Sequence, residues 1–341
     1  MIPWTRKWLV GVLIGSCATL GFAQEVVAPR VDFALVRGLE FLATQQQNDG
    51  AFAKTGPKLA ITSLCVLALL SSGHVPEDGR YGLTLRRAVD YLLQQFPPDG
   101  YVGKVDGSRM YGQGMVTLAL AEVYGVEHDP LRRQRIRQCL IKAVEVIVAA
   151  QNVQKDDLHA GGWRYEPNSP DSDLSLSGWN ALALRACNNV GVSVNRKCID
   201  RAIAYVLSCY RQKEKGFAYQ PGRPASPGMT GVGILDLCLL DQAARPEVAD
   251  AAIFLLKNPV TAETHYAYYS LYYSTSAAFQ AGDPIWAAVW KTNSELLVWL
   301  QQDDGGWPAS KTGDEPGRIY ASAMATLTLS APNRLLPVHQ R

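Results

Sequence analysis

Two kinds of helical segment take turns along this chain, six of each, and no run alternates apolar and polar residues as a half-buried strand would. The first kind carries a charged face and often closes on Gln. It covers Val31–Gln47, Leu83–Gln95, Leu131–Gln151, Asn195–Arg211, Pro246–Lys257 and Pro284–Gln302. The second kind is rich in small residues and almost uncharged. It covers Lys58–Ser72, Met110–Tyr124, Ser175–Asn189, Met229–Gln242, Thr264–Ala281 and Tyr320–Ser330. A helix with one polar face belongs at a surface, and a helix apolar all round must be buried. Units of this length are helix hairpins that hide their apolar sides only by stacking on neighbours. The chain is therefore expected to be all-α, with the uncharged helices inside. The period fits an open solenoid and a closed ring equally.

The inner segments share a register. Leu67-Ala68-Leu69, Leu118-Ala119-Leu120, Leu182-Ala183-Leu184, Leu235-Asp236-Leu237 and Leu327-Thr328-Leu329 are one recurring unit. Four residues before each lies a small residue: Ser63, Gly114, Gly178, Gly231 and Ala323. A small residue one turn earlier on the same face lets a neighbouring helix approach closely. A Gly-plus-aromatic turn links the two segment types: Gly50-Ala51-Phe52, Gly100-Tyr101, Gly162-Trp163, Gly216-Phe217 and Gly306-Trp307. Gly is expected to end each helix with positive φ. Gln45, Gln94, Gln151 and Gln301 precede the turns, where their amides can satisfy carbonyls at the helix ends.

Residues 1–23 have the form of an export signal: Arg6 and Lys7, an apolar run from Trp8 to Ile14, then Gly21-Phe22-Ala23 as a cleavage site. This leaves residues 24–341 as one domain, exported to the periplasm or the medium. Ile14-Gly15-Ser16-Cys17 offers lipid attachment at Cys17 as the alternative. No later stretch is long and charge-free enough to span a bilayer. With 33 basic and 31 acidic residues and no basic stripe, nucleic acid is not an expected partner. Cys65, Cys139, Cys187, Cys198, Cys209 and Cys238 show no Cys-x-x-Cys spacing. Cys187 and Cys198 flank one short loop and are the pair that could bridge; free thiols are the expected state.

Gln, a spacer and Gly-x-Trp/Phe at this period resemble the QW-type repeat of squalene–hopene cyclases. More broadly, the chain is similar to the α/α toroid of terpene cyclases and protein prenyltransferases. That resemblance implies an (α/α)6 ring of six inner and six outer helices, with any ligand in a central cavity. It also implies where chemistry would sit. The cyclases start their reaction with Asp-x-Asp-Asp soon after a Gly-Gly-Trp turn. Here Gly161-Gly162-Trp163 is followed by Asp171-Ser172-Asp173, and Asp173 falls on the family's proton donor with Asp171 as its support. Leu174 stands where the third Asp would be. Read from the residues alone, Asp173 or Ser175 is a helix cap and Asp171 follows Pro170 in a turn.

The zinc pair of the prenyltransferase branch, Asp-x-Cys, is matched by Asp236-Leu237-Cys238. The family's His position is occupied by the Tyr320-Ala321-Ser322 stretch, and His265 lies on the adjacent inner segment. It would sit about 10 Å from the pair along the helix axis, against zinc bonds of about 2 Å. No metal and no cofactor is expected. Asp236 replaces Ala or Thr in its register, so it is either an acid–base group at the cavity or a structural acid bonded to a neighbour. Trp163, Tyr165, Glu166, Trp179, His265, Tyr268, Tyr269 and Tyr272 are the expected cavity lining. The expected function is binding of an apolar or elongated ligand, or of a protein partner, at that cavity. The alternative is a cyclase-type isomerase that protonates an isoprenoid-like chain through Asp173.

Overall fold

In the computed structural model, which describes residues 18–333 and 335–336, the expected segments become twelve α-helices. The outer helices are α1 (Ala18–Gln45), α3 (Gly82–Gln95), α5 (Pro130–Gln151), α7 (Arg196–Ser208), α9 (Pro246–Lys257) and α11 (Ile285–Leu300). The inner ones are α2 (Lys58–Ser71), α4 (Arg109–Val126), α6 (Leu174–Asn189), α8 (Pro227–Leu239), α10 (Ala267–Ala281) and α12 (Arg318–Leu329). Each inner helix packs on the next, and α12 packs back on α2. In the outer layer α1 packs on α11, and α1 also packs on α12. The chain is thus a closed (α/α)6 toroid and not an open solenoid. The expected export signal and Cys17 fall on residues 1–17, which lie outside the described residues, and on the first turns of α1. Among the described residues no helix is long and apolar enough to cross a membrane.

The small residues of the inner register act as expected. A Cβ on Gly114 would lie 3.1 Å from Trp179, one on Gly178 would meet Val232 at 2.5 Å, and one on Gly231 would meet the backbone of Tyr273 at 2.5 Å. Each marks the place where one inner helix touches the next. The residue just before each small residue has a second task. Thr62, Gln113, Ser177, Thr230 and Ser322 accept the backbone N–H of Phe52, Val102, Trp163, Phe217 and Trp307, at 2.9–3.1 Å. Five of the six hairpins are fastened by this bond.

Gly50 and Gly100 have the expected positive φ, and the other three turns differ from expectation in register. The left-handed residue lies two positions before the buried apolar one: Gly50, Gly100, Gly161, Lys215 and Gly305, so Gly162, Gly216 and Gly306 do not have positive φ. The helices also end several residues before these turns. The reason is a close approach to the adjacent outer helix. A Cβ on Gly161 would lie 2.3 Å from the Arg201 carbonyl oxygen, and one on Gly305 would lie 2.5 Å from that of Arg37. The glutamines likewise reach across. Gln151 Nε2 donates to the carbonyls of Gly161 and Cys198, and Gln301 Nε2 to those of Gly305 and Ala34. In the first hairpin Gln46, not Gln45, does this, bonding Gly50 and Thr84. In the second, Gln94 is exposed and Gln113 of α4 bonds Gly100 instead. One expected helix is shortened: α7 stops at Ser208, and Tyr210–Arg211 pairs with Gly216–Phe217 as a two-residue hairpin. Cys65, Cys139, Cys187, Cys198 and Cys209 are free; burial raises the Cys187 thiol to about 12 and the Cys198 thiol to about 11.

Candidate functional site

The loops leading into the inner helices lie together on one face of the ring, so that helix N-termini cluster there. Backbone N–H groups at such ends attract acids. Asp106, ahead of α4, accepts the N–H of Leu59 at the start of α2 at 2.7 Å. Glu315, ahead of α12, accepts those of Tyr268 and Tyr269 at the start of α10, at 3.3 and 2.9 Å. Asp173 caps its own helix through the N–H of Leu176 at 2.9 Å. This face is the mouth.

Asp173 has every acceptor position engaged. Oδ1 takes the Leu176 N–H and the Ser175 hydroxyl at 2.6 Å. Oδ2 takes the Arg164 guanidinium at 2.6 Å and the Tyr219 hydroxyl at 3.0 Å. The residue is fully buried, and its strand-like bridge to Trp163 fixes the loop between them. Arg164 also pairs with Asp171 at 3.1 Å and lies 4.7 Å over the Tyr165 ring. Tyr165 and Tyr219 share a hydroxyl contact at 3.2 Å, and Tyr111 reaches Ser175 at 2.6 Å. At the rim, Glu166 pairs with Arg109 at 3.1 Å and accepts from Tyr101 at 3.0 Å.

The opposite rim is built by the loop before α12. Asp314 accepts the N–H of Tyr266 at 2.9 Å and lies 3.1 Å from His265 Nδ1. Burial would raise its carboxyl, but bonds from Thr312, Tyr266, Ser310 and His265 hold it at about 2. Glu315 behaves oppositely: burial pushes it up to about 7, against the pull of its two N–H bonds. Two non-glycine residues in the left-handed region stand at this face, Arg109 (φ 57°) starting α4 and Tyr266 (φ 54°) preceding α10. Such strain persists only where surroundings enforce it.

The expected central cavity is filled. Trp179 of α6 stacks on Tyr272 of α10 at 6.1 Å and meets Tyr273 edge-on at 5.6 Å, although α6 and α10 are not neighbours in the ring. Tyr269 lies 4.6 Å from Tyr273. Trp179, Tyr268, Tyr269 and Tyr272 are all buried, so they pack the interior and do not line an open bore. Large aromatics on helices set close by glycines occupy the axis at the level of Trp179 and Tyr272. Trp163 is also displaced from its expected place. Its indole donates to Ile147 of α5 at 2.7 Å, between the layers, as that of Trp307 does to Leu297 of α11 at 2.8 Å. His265 is largely exposed at the rim. Asp236 is completely buried beside Gly178, and neither of its oxygens has a hydrogen-bond partner; burial alone holds its carboxyl well above the usual range.

The structure therefore joins Tyr165, Asp171 and Asp173 in one network through Arg164 and Tyr219, leaves Glu166 on a separate pair with Arg109 and Tyr101, and gives Asp236 no bond to either. It adds Tyr219, Tyr111, Arg109, Asp314 and Glu315, which sequence reasoning did not single out. The Asp-Glu pair between Gly313 and Gly317, just ahead of an inner helix, was the signal for the last two.

No protein-family model matches the chain, and no curated protein does. Solved structures do share its fold. An α-1,6-mannanase of Salegentibacter sp. HEL1_6, in complex with α-1,6-mannotriose, is 12% identical and superposes with a TM-score of 0.65, covering 89% of this chain and 99% of its own. The type II terpene cyclase MstE from Scytonema is 13% identical, with a TM-score of 0.59 and coverages of 90% and 100%. A D-mannose isomerase is 13% identical, with a TM-score of 0.61 and coverages of 94% and 99%.

Proposed function

We propose that this is an exported, non-catalytic toroid that binds a ligand at its mouth, where the inner-helix N-termini meet. The observation that carries this reading is the state of Asp173. A proton donor to an alkene must turn an oxygen toward its substrate, and both oxygens of Asp173 already accept protein donors. The contacts of Trp179 with Tyr272 and Tyr273 across the ring speak against room for an isoprenoid chain at that level, whereas the rim keeps Tyr165, Glu166, Arg109 and Tyr266 accessible. The similar structures include enzymes named for a mannan, a terpene and mannose, so the shared fold does not choose a ligand. The test is incubation of the purified protein with squalene and shorter linear polyenes, followed by product analysis. No cyclised product is expected. A cyclic product that disappears in Asp173→Asn would establish the cyclase reading, with Asp173 as acid and Asp171 as support, and end this one.

A further inference from the structure

We propose that the outer face of α11 is an interface between two copies of this chain, in which two α11 helices run in opposite senses across a two-fold axis at the level of Asn293.

The face is apolar where an outer helix is expected to be charged. Lys291 and Glu295 are the only charged residues of α11, whereas the shorter α7 carries Arg196, Lys197, Asp200 and Arg201. Trp299 is 70% exposed, and on the adjacent α9 Ile253 and Leu256 are 48% and 40% exposed. Between α9 and α11 lies a groove of about 370 Å³, lined by Leu255, Leu256, Ala288, Val289 and Thr292 among others. The middle of α11 is firmly seated. Asn293 is buried and donates to the hydroxyls of Ser274 and Thr275 on α10, at 3.0 and 2.9 Å.

The order of residues on the face identifies the occupant. Ala287, Lys291, Glu295 and Trp299 are all exposed and stand four apart, so they form one row along the helix surface. Two such rows lie parallel when helices cross at about 50°. This row is complementary to its own reverse. Lys291 and Glu295 stand about 3 Å along the axis to either side of Asn293, and Ala287 and Trp299 about 9 Å to either side. A two-fold axis at Asn293 therefore sets each Lys291 against Glu295 of the second copy. It sets each Trp299 over Ala287 and Ala288 of the second copy, at the edge of the groove. Lys291 and Glu295 are one turn apart, yet neither has an ion-pair partner among the described residues, so both charges are available to the second copy. A self-complementary patch of this kind is what a closed two-fold dimer requires. A membrane surface would be met by an excess of Lys and Arg around the aromatics, and here the single Lys is balanced by Glu295.

Sedimentation velocity of the full chain over a concentration series tests this. A dimer is expected. Trp299→Ala should weaken association about thirtyfold, as loss of a central aromatic anchor does. Lys291→Glu, which faces Glu295 of the second copy with a like charge, should weaken it about tenfold. Lys291→Glu combined with Glu295→Lys should restore the parent affinity within about threefold, because the two-fold axis re-forms both pairs. All three positions are exposed, so each variant is expected to keep the parent's circular dichroism and melting temperature. A chain that stays monomeric up to about 100 μM, above the micromolar limit of specific interfaces, overturns the proposal. A dimer indifferent to Trp299→Ala overturns it as well, and so does a double charge swap that fails to restore what Lys291→Glu removed. A monomer that pellets with phosphatidylcholine–phosphatidylglycerol vesicles, and no longer does so as Trp299→Ala, would assign the face to a lipid surface and overturn it too.

Discussion

Two fully buried acids, Asp173 at the N-cap of α6 and Asp236 within α8, stand in opposite situations. Asp173 is ion-paired with Arg164 and caps α6, so removing it takes from Arg164 its buried carboxylate partner, leaving it the more exposed Asp171, and leaves a helix N–H without its acceptor. Asp173→Ala should cost about 3 kcal/mol, more than the ~1 kcal/mol of a lost cap alone. Urea denaturation measures it, and a loss near ~1 kcal/mol would mean that the ion pair adds nothing. Asp236 has no partner to lose. Its carboxyl is raised in the folded chain by burial, so folding favours the protonated form. The protonated acid suits the fold fully below about pH 4, the unfolded value, and this advantage is lost as pH rises toward the higher folded value. Asp236→Asn, which cannot ionise, should therefore melt higher than the parent at neutral pH and close to it near about pH 4. Each unit of upward shift is worth about 1.4 kcal/mol of that difference. Thermal melts at the two pH values decide it: an Asp236→Asn protein less stable at neutral pH would show that the carboxylate is useful where it lies.

At the scale of the helix hairpin, stability rests on one amide that crosses between outer helices. Gln151 bonds two carbonyls on different elements, and Gln113 does the same work in the second hairpin, where Gln94 points to solvent. Gln151→Ala and Gln113→Ala should each cost about 1–3 kcal/mol through stranded carbonyls. Gln94→Ala should stay within about 0.5 kcal/mol of the parent by the same denaturation measurement. The hairpins were legible in the sequence because their marks are local and repeated: a small residue, then a Leu pair, on helices with or without charge. The repeated spacing even marked the close helix contacts at Gly114, Gly178 and Gly231. What stayed hidden is what joins distant segments. Gln113 stands in for Gln94 from another helix, and Glu315 caps a helix that starts 48 residues before it. Local capping rules see only a helix's own flanking residues. Asp173 was readable as a cap for that reason, while its partner Tyr219 and the whole α12 side of the mouth were not. The packed axis was hidden too, since Tyr spacing on α10 looks the same whether the rings line a bore or fill it.

For the whole molecule, closure decides how the ends behave. In a linear stack a terminal unit has one neighbour and frays, so mutations there cost less than the same change in the middle. Here α12 meets α2, and α1 meets both α11 and α12. Trp307 sits at that seam; a Cβ on Gly38 of α1 would come within 2.7 Å of its ring. Trp163 holds the equivalent place in mid-chain. Both are buried at 0–1% exposure, and both donate an indole N–H to an outer helix and a backbone N–H to an inner one. If the wheel bears load evenly, Trp307→Ala and Trp163→Ala should each cost about 3–5 kcal/mol, within about 1 kcal/mol of each other. Each should unfold in a single urea transition of unchanged steepness. A much smaller loss for Trp307→Ala, or an early separate transition, would mean that α1 and α12 peel away on their own. The mouth would then be open on the side where Glu315 and Tyr320 stand, because α12 carries one and directly follows the other. Ring closure and the geometry of the binding face are for this reason a single property, measured by the same pair of tryptophans.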